Sequence, residues 1–254
     1  RALEGGADIV LTGRVADAAL FLAPLIHEFG WAADDWNRLA QGLTVGHLLE
    51  CSGQGSGGNF NSYLKNGWES VPDLGHIGYP IAEVSADGTA VITKAPGTGG
   101  RVDFDTVRQQ LLYEVHNPHA YFSPDVVLDM GTLKLEDLGD DRVRVSGATG
   151  RPRPDKLKIV AGYDDGWAGS ATLGYSWPGA MKKARATEAI VRRQLAELKL
   201  QYDEIHTEFL GFNSLLGPLA DDSRIEELNE VYLKMSVRAQ DRRVQGLVLW
   251  DAPR

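Results

Sequence analysis

Cysteine is almost absent from this chain of 254 residues, because Cys51 is the only one. An internal disulfide and a zinc site built on several cysteines are therefore excluded. The sequence also lacks an apolar run of the roughly 18–20 residues that a membrane-spanning helix needs, and it shows no secretory signal pattern. We expect a soluble, cytoplasmic protein with no membrane partner.

Basic residues are fewer than acidic residues in this chain. The chain has 26 lysines and arginines against 35 aspartates and glutamates, which gives a formal net charge of -9. Nucleic acids and anionic membrane surfaces attract a basic field, so neither is expected as a partner. The hydrophobic content of 43% is that of an ordinary globular protein with a buried core. A local cationic pocket for an anionic small molecule remains compatible with this balance.

The order of apolar runs predicts an α/β (α+β) fold in two portions. Ala7–Thr12 is typical of a buried parallel strand, and the helical pattern from Asp17 to Phe29 completes a βα unit. From about residue 170, the order strand, helix, strand, strand, helix predicts a ferredoxin-like, split-βαβ layer. We expect domains at 1–155, with glycine-rich loops, and at 156–254. Both ends look cut, which predicts a piece of a longer protein.

Three loops combine glycines with cations. In the first, Arg14 follows the predicted strand 7–12 and can grip a carboxylate or phosphate, or instead pair with Asp17. In the third, Gly147–Pro154 carries Arg151 and can close over an anion, or serve only as a solvated linker.

The second loop is the most distinctive, because its glycines lie between Lys94 and Arg101. It joins a predicted strand to a predicted helix, so the N–H groups of Gly97, Thr98, Gly99 and Gly100 can meet an anion. The alternative is a tight connection whose glycines only satisfy turn geometry. The spacing fits neither the ATP-binding nor the dinucleotide-binding pattern, and no cofactor is predicted apart from a possible CoA moiety of the substrate.

Acid/base candidates lie on two predicted helices. His47 and Glu50 are three residues apart on a helix that Thr44 is expected to cap, and Cys51 follows at the next position. His47 and Glu50 can act as an acid/base pair, while Cys51 is either a thiol activated by His47 or a packed, inert residue. His116 ends a helix predicted over 106–116, where it is a further base or merely favours the helix terminus. The spacings give little support to a metal site.

Several segments, read together, resemble the acyclic terpene utilisation (AtuA-like) family, formerly a domain of unknown function. They are GADIVLTGRVADAALFLAPLIHEFGW, LTVGHLLECSGQGSGGNF, VPDLGHIGYPIAEVSADGTAVITKAPGTGGRV, VRQQLLYEVHNPHAYFSPDVV and DRVRVSGATGRPRP. The resemblance covers nearly the whole chain in order. It implies a bacterial protein of citronellol- and geraniol-type isoprenoid catabolism, and it assigns no catalytic residue.

The resemblance and the cationic loops together lead to one functional hypothesis and two alternatives. We expect an enzyme or enzyme subunit that acts on an anionic branched acyl substrate, as a CoA thioester, by lyase- or hydratase-type chemistry. The first alternative is a non-catalytic subunit that binds acyl-CoA or a partner enzyme, and the second is a hydrolase that uses Cys51. Self-association into a homo-oligomer is compatible with each of them.

Overall fold

The computed structural model describes residues 1–61 and 67–242 of the chain. They form two compact units, unit 1 (residues 1–159) and unit 2 (from residue 160 onward). The elements, in chain order, are α1 (Ala19–Phe29), α2 (Trp36–Leu49), β1 (Pro80–Val84), β2 (Ala90–Lys94), α3 (Phe104–Leu112), β3 (Tyr121–Phe122), β4 (Val127–Asp129), β5 (Lys134–Gly139), β6 (Arg142–Ser146), β7 (Thr149–Arg151), β8 (Trp167–Ser176), α4 (Ala180–Glu197), β9 (Glu204–Leu210) and β10 (Glu230–Ala239). Short 3₁₀ turns lie at Ser52–Ser56, Gly67–Ser70, Leu74–His76, Gly217–Leu219 and Ile225–Glu227.

The predicted α+β class is confirmed. Unit 1 has one sheet in the order β1-β2-β6-β5 and a second in the order β3-β4-β7, while unit 2 has a sheet in the order β8-β10-β9. All of these strand pairs are antiparallel. No described helix is both long enough and apolar enough to cross a bilayer.

The βα unit predicted at the start of the chain is not formed in the described structure. Residues 7–12 have no strand, and the side chains of Ile9 and Leu11 are 88% and 97% exposed. The apolar residues between 157 and 161 likewise form no strand, and Ile159 and Val160 are exposed. An apolar run becomes a strand only where a neighbouring strand satisfies its N–H and C=O groups, and the run itself does not specify that neighbour.

Helix α2 lies at the centre of unit 1. Ten consecutive residues, 39–48, are buried, because other elements cover the helix on several sides. Leu39 and Leu43 pack with α1 and β4 in one core cluster. Val45 and Leu48 pack with β2, β6 and α3 in the other. The helix therefore joins both cores of this unit.

Asp35 begins α2 by accepting a hydrogen bond from the backbone N–H of Arg38. The cap predicted at Thr44 is wrong, because Thr44 lies inside the helix and its hydroxyl donates to the Ala40 carbonyl at 2.8 Å. The helix that carries His47 thus begins earlier than predicted, at Trp36. The hydroxyl group of a serine or threonine inside a helix can hydrogen-bond to the backbone carbonyl four residues earlier. The presence of such a residue therefore does not by itself mark the start of a helix.

Helix α3 begins with a capping box and ends early. Asp103 accepts the N–H of Thr106, whose hydroxyl accepts the N–H of Asp103 in return. The helix stops at Leu112, and Glu114 takes a positive φ of 59°. The predicted extension to His116 is therefore wrong: the chain leaves the helix before the Asn117-Pro118 stop signal.

Part of the basic segment Gly147–Pro154 is a strand rather than a loop. Thr149–Arg151 forms β7 and pairs with Val127–Asp129. Its edge position holds Arg151 on a sheet that also carries Tyr121 in β3.

Unit 2 is a three-stranded sheet with a helix on one face. Strands β8 and β9 flank β10 and are both antiparallel to it, and α4 connects them, which is the connectivity of a split βαβ unit. Met181 and Leu195 of α4 share a core with Leu233 and Val237 of β10. The second helix of the expected ferredoxin-like layer, predicted after Asp241, lies outside the described residues.

Gly46 allows α1 and α2 to approach closely. A Cβ built on Gly46 would lie 2.9 Å from Ala18 Cα and still closer to the Ala18 carbonyl. Both obstacles are backbone atoms, so no side-chain rotation can relieve the clash.

We predict that Gly46→Ala lowers the free energy of unfolding by about 1–3 kcal/mol, the cost of overpacking a core. That cost outweighs the gain of about 1 kcal/mol that alanine brings inside a helix. Urea unfolding of the two proteins measures the difference. Gly13→Ala is the control, because a Cβ there meets no atom within 4 Å. A Gly46→Ala protein as stable as the wild type would show that the two helices are not in backbone contact here.

Candidate functional site

The last turn of α2 brings His47 and Glu50 into contact. His47 Nδ1 and Glu50 Oε1 are 2.8 Å apart, and the two side chains are 1% and 10% exposed. The spacing of three residues places both on one side of the helix, as the sequence indicated. An imidazole that is hydrogen-bonded to a carboxylate has its tautomer and orientation fixed.

The other ring nitrogen of His47 has no partner among the described residues. Nε2 is buried and makes no hydrogen bond within the described structure. A buried polar atom without a partner is costly, so its retention calls for an explanation. If Glu50 is ionised, Nδ1 carries the proton and Nε2 presents a lone pair. That lone pair can accept a proton from a bound molecule.

Helix α3 supports the last turn of α2 through a chain of side-chain amides. Gln110, which is fully buried, donates from Nε2 to the backbone carbonyl of His47 at 2.8 Å. Its Oε1 accepts from Gln54 Nε2 at 2.8 Å, and Gln54 Oε1 accepts from Asn59 Nδ2 at 3.3 Å. The carbonyl of His47, near the C-terminal end of the helix, is thereby capped by a side chain from another element.

Tyr121 of β3 packs against the imidazole. The ring centroids of Tyr121 and His47 are 5.5 Å apart, with 49° between the ring planes. Burial is the main cause that raises the pKa of Tyr121, followed by the negative charges of Glu50 and Glu114. The phenol therefore stays protonated at neutral pH.

The environment of Cys51 does not activate its thiol. Burial raises the pKa of Cys51 above its ordinary value, and the charges of Glu50, Glu114 and Asp17 raise it further. A hydrogen bond from the side chain of Gln110 acts in the opposite direction but does not reverse the shift. The thiol is thus protonated at neutral pH, which favours the inert interpretation over a nucleophile.

The glycine-rich loop from Lys94 to Arg101 uses three of its backbone N–H groups for hydrogen bonds within the protein. The N–H groups of Gly99, Gly100 and Arg101 donate to the carbonyls of His76, Pro72 and Ser56 at 2.8–2.9 Å. Thr98 Oγ1 donates to the Ala95 carbonyl at 2.6 Å. These bonds favour the tight-connection interpretation.

The two cations of this loop also have partners within the protein. Lys94, only 8% exposed, donates to the Thr98 carbonyl at 2.8 Å and pairs with Asp141 at 3.2 Å. Arg101 pairs with Asp103, donates to the Ser70 carbonyl at 3.0 Å and stacks over the ring of Phe60, while its Nη2 is buried without a hydrogen-bond partner among the described residues. Gly97 has a positive φ of 74° and open space around it. Anion binding by this loop stays a prediction.

The remaining predicted site residues are spread over unit 1. The side chain of Arg14 is exposed and lies 3.6 Å from the carboxylate of Asp17. The ion pair with Asp17, which the sequence offered as the alternative to anion binding, is therefore present. Arg151 donates to the His119 carbonyl at 2.8 Å. His116 is exposed and lies beyond the end of α3, so no helix terminus explains it. Among the described contacts, none joins His116 to His47 or Glu50.

Sequence reasoning missed Gln110, Tyr121 and Glu114. Gln110 carried a usable signal, because it lies on the same helical stripe as Val107 and Leu111 and is therefore a buried polar side chain. Tyr121 comes near His47, and Glu114 near Cys51 and Tyr121, only through the tertiary fold, which no local pattern encodes. The described residues contain no group of three or more histidine, cysteine and acidic side chains that could hold a metal.

A separate apolar cavity of about 660 Å³ lies beside α1 in unit 1. Its apolar walls come from the first fifteen residues, from α1 and from Trp31, and include Leu3, Val10, Val15, Leu20, Ile26 and Trp31. A cavity of this size and character suits a hydrocarbon chain.

We predict that Cys51 of the folded protein reacts slowly with iodoacetamide at pH 7, more slowly than the same thiol in urea-unfolded protein. A raised pKa means a smaller thiolate fraction, and the rate should climb as the pH approaches that pKa from below. Mass spectrometry of the alkylated protein gives both rates, and a faster reaction in the folded state would contradict the inert thiol.

We predict that Lys94→Met lowers the free energy of unfolding by about 1–3 kcal/mol, because the Thr98 carbonyl and Asp141 lose a donor. Any rise in Tm that added CoA produces should be the same in wild type and variant. If the variant alone loses the CoA-dependent rise, then the loop does bind an anion.

Comparison with known proteins places the chain in a family. A family model described as acyclic terpene utilisation family protein AtuA matches residues 1–251. No curated protein and no solved structure matches the chain. The match spans both units and includes the segments with His47, Glu50 and the glycine-rich loop, and so this chain belongs to the acyclic terpene utilisation family AtuA.

Proposed function

We propose that the protein is an enzyme, or the catalytic part of one, that performs acid/base chemistry on a branched acyl substrate of acyclic terpene utilisation. The family gives the metabolic setting. The observation that carries the chemistry is the buried His47, held by Glu50 at Nδ1 and without a partner at Nε2. A base oriented by a carboxylate is a recurrent arrangement in acid/base catalysis.

The proposed reaction begins with removal of a proton from the carbon next to the substrate carbonyl. Nε2 of His47 takes the proton, and Glu50 counters the positive charge that the imidazole then carries. A CoA thioester suits this step, because its carbonyl stabilises the resulting carbanion as an enolate. The enolate then expels the hydroxyl group of the neighbouring carbon, which takes the proton held on Nε2 and leaves as water, so that the product is the α,β-unsaturated thioester and Nε2 is free again. This is the reaction of a dehydrating lyase, and its reverse is that of a hydratase.

The enolate oxygen needs a hydrogen-bond donor. The amides of Gly99 and Gly100 donate to carbonyls within the protein, so they are engaged. Tyr121 is the donor beside His47, and its raised pKa keeps the hydroxyl protonated. The exposed Arg14 and Arg151 are cations available to the phosphates of CoA.

A second candidate function is binding without catalysis, as a subunit that presents acyl-CoA to a partner enzyme. The apolar cavity beside α1 favours this alternative, since a hydrocarbon chain can occupy it without meeting His47. Turnover by the isolated protein separates the two functions.

We predict that His47→Gln lowers kcat by about 100-fold or more on a panel of branched acyl-CoA thioesters, the usual loss when a general base is removed. Glu50→Gln should lower kcat as well, with KM little changed, because the carboxylate orients the base. Product formation followed by mass spectrometry gives both constants.

His76→Gln is the matched control. His76 also pairs with an acid three residues away, Asp73, at 3.2 Å, but its side chain is 84% exposed. This variant should retain wild-type kcat. Unchanged turnover in His47→Gln would refute the proposed base, and absence of turnover by the wild type on the whole panel would favour the binding subunit.

A further inference from the structure

The backbone carbonyl of His47 lies where α2 runs out of its own hydrogen bonds. The N–H of Glu50, at the end of the helix, donates to the Gly46 carbonyl at 2.9 Å. The next carbonyl along the chain is that of His47, and no backbone N–H of the described residues donates to it. A helix leaves its last carbonyls without a partner of its own, and a buried carbonyl needs a substitute.

Gln110 of α3 supplies the substitute. Its Nε2 donates to the His47 carbonyl at 2.8 Å, and its side chain is fully buried. Its Oε1 accepts from Gln54 Nε2, also at 2.8 Å, so the amide is bonded on both sides. One side chain from another helix therefore completes the hydrogen bonding of the turn that carries the proposed base.

Helix α3 is a firm support for this bond. Val107 and Leu111, on the same stripe of α3 as Gln110, pack with Val45 and Leu48 of α2 in one core cluster. The capping box described above fixes the start of the same helix. The core thus sets the position of the Gln110 amide, and the amide sets the position of the His47 backbone.

The contact between His47 and Glu50 spans this same turn. Nδ1 of His47 and Oε1 of Glu50 are 2.8 Å apart because the turn is closed, and Nε2 is then left without a partner among the described residues. If the turn opened, the imidazole would move relative to the carboxylate. A displacement of about 1 Å in a catalytic group can cost about 100-fold in rate.

We infer that Gln110 is a positioning residue for the proposed base: through the His47 carbonyl it keeps the last turn of α2 closed and so holds the imidazole on Glu50. This inference rests on the proposed function and adds a residue that no spacing in the sequence connects with His47. A bond that only joined α2 to α3 would affect stability and leave the rate per folded molecule unchanged.

Gln110→Met tests the inference, because methionine has a similar length and volume but no N–H to donate. We expect kcat on the branched acyl-CoA panel to fall about tenfold, with KM little changed, since Gln110 orients the base rather than holding the substrate. Circular dichroism and urea unfolding give the folded fraction, and kcat is compared per folded molecule.

Gln109→Met is the matched control. Gln109 is the neighbouring glutamine of α3, and its Nε2 also donates to a backbone carbonyl, that of Asn59 at 3.0 Å. Asn59 lies in a loop outside α2. This variant should retain wild-type kcat even where its stability falls. Wild-type kcat in folded Gln110→Met, or an equal loss of kcat in Gln109→Met, would overturn the inference.

Gln110→Glu gives a second test that remains informative if Gln110→Met does not fold. A carboxyl group at this position can donate to the His47 carbonyl only while it is protonated. The ratio of its kcat to that of the wild type should therefore rise as the pH is lowered. A ratio near one at every pH would contradict the inference.

NMR of the ¹⁵N-histidine-labelled protein separates this inference from the proposed function, because it needs no turnover. His47→Gln assigns the ring signals of His47. In the wild type we expect one tautomer, with the proton on Nδ1, and in Gln110→Met the two ring nitrogen shifts should move toward each other. If the wild type turns over no member of the panel, the proposed function fails. The ring signals then decide alone: unchanged shifts in Gln110→Met overturn the positioning role, and converging shifts support it.

Discussion

The structure of unit 1 depends on covering α2. A helix buried along ten consecutive residues brings its polar side chains into the core, and each of them must be satisfied there. Gln41 accepts the backbone N–H of Ala148 at 2.9 Å, and Thr44 donates within its own helix. Nδ1 of His47 has a hydrogen-bond partner in Glu50, whereas Nε2 is buried without a partner among the described residues. That departure has the character of a functional site, because no other side-chain nitrogen or oxygen of the described helix is buried without a partner.

Local patterns predicted part of this arrangement. The three-residue spacing of His47 and Glu50 was enough to place them in contact, since a helix imposes that geometry wherever it occurs. The alternation of Val231, Leu233, Met235 and Val237 is likewise the pattern of a strand with one buried face, and these residues form the buried face of β10. By contrast, the apolar run 7–12 looked like a strand but has no neighbouring strand to bond with. Tyr121 is over seventy residues from His47, so only the tertiary fold brings them together.

The cationic loops illustrate a different limit of sequence reasoning. Lys94 and Arg101 suggested a ligand because they stand beside glycines in an acidic protein, yet both find partners inside the protein. Their glycines allow two loops to pack backbone against backbone: a Cβ on Gly99 would strike Asp73, and one on Gly100 would strike Ser56. Composition reports that a segment is unusual. Whether a ligand or the protein itself explains the unusual residues depends on contacts that are distant in sequence.

The amide chain from Asn59 through Gln54 to Gln110 has a direction. Each side chain donates to the next oxygen, and the last donates to the His47 carbonyl, which can only accept. The His47 carbonyl can only accept a hydrogen bond, so it fixes the orientation of the Gln110 amide. That amide in turn fixes the orientation of Gln54, and Gln54 that of Asn59. Replacing any member by a carboxylate would remove a donor from the row. The position of the helix turn that bears His47 is thus encoded partly in side chains that never touch the imidazole.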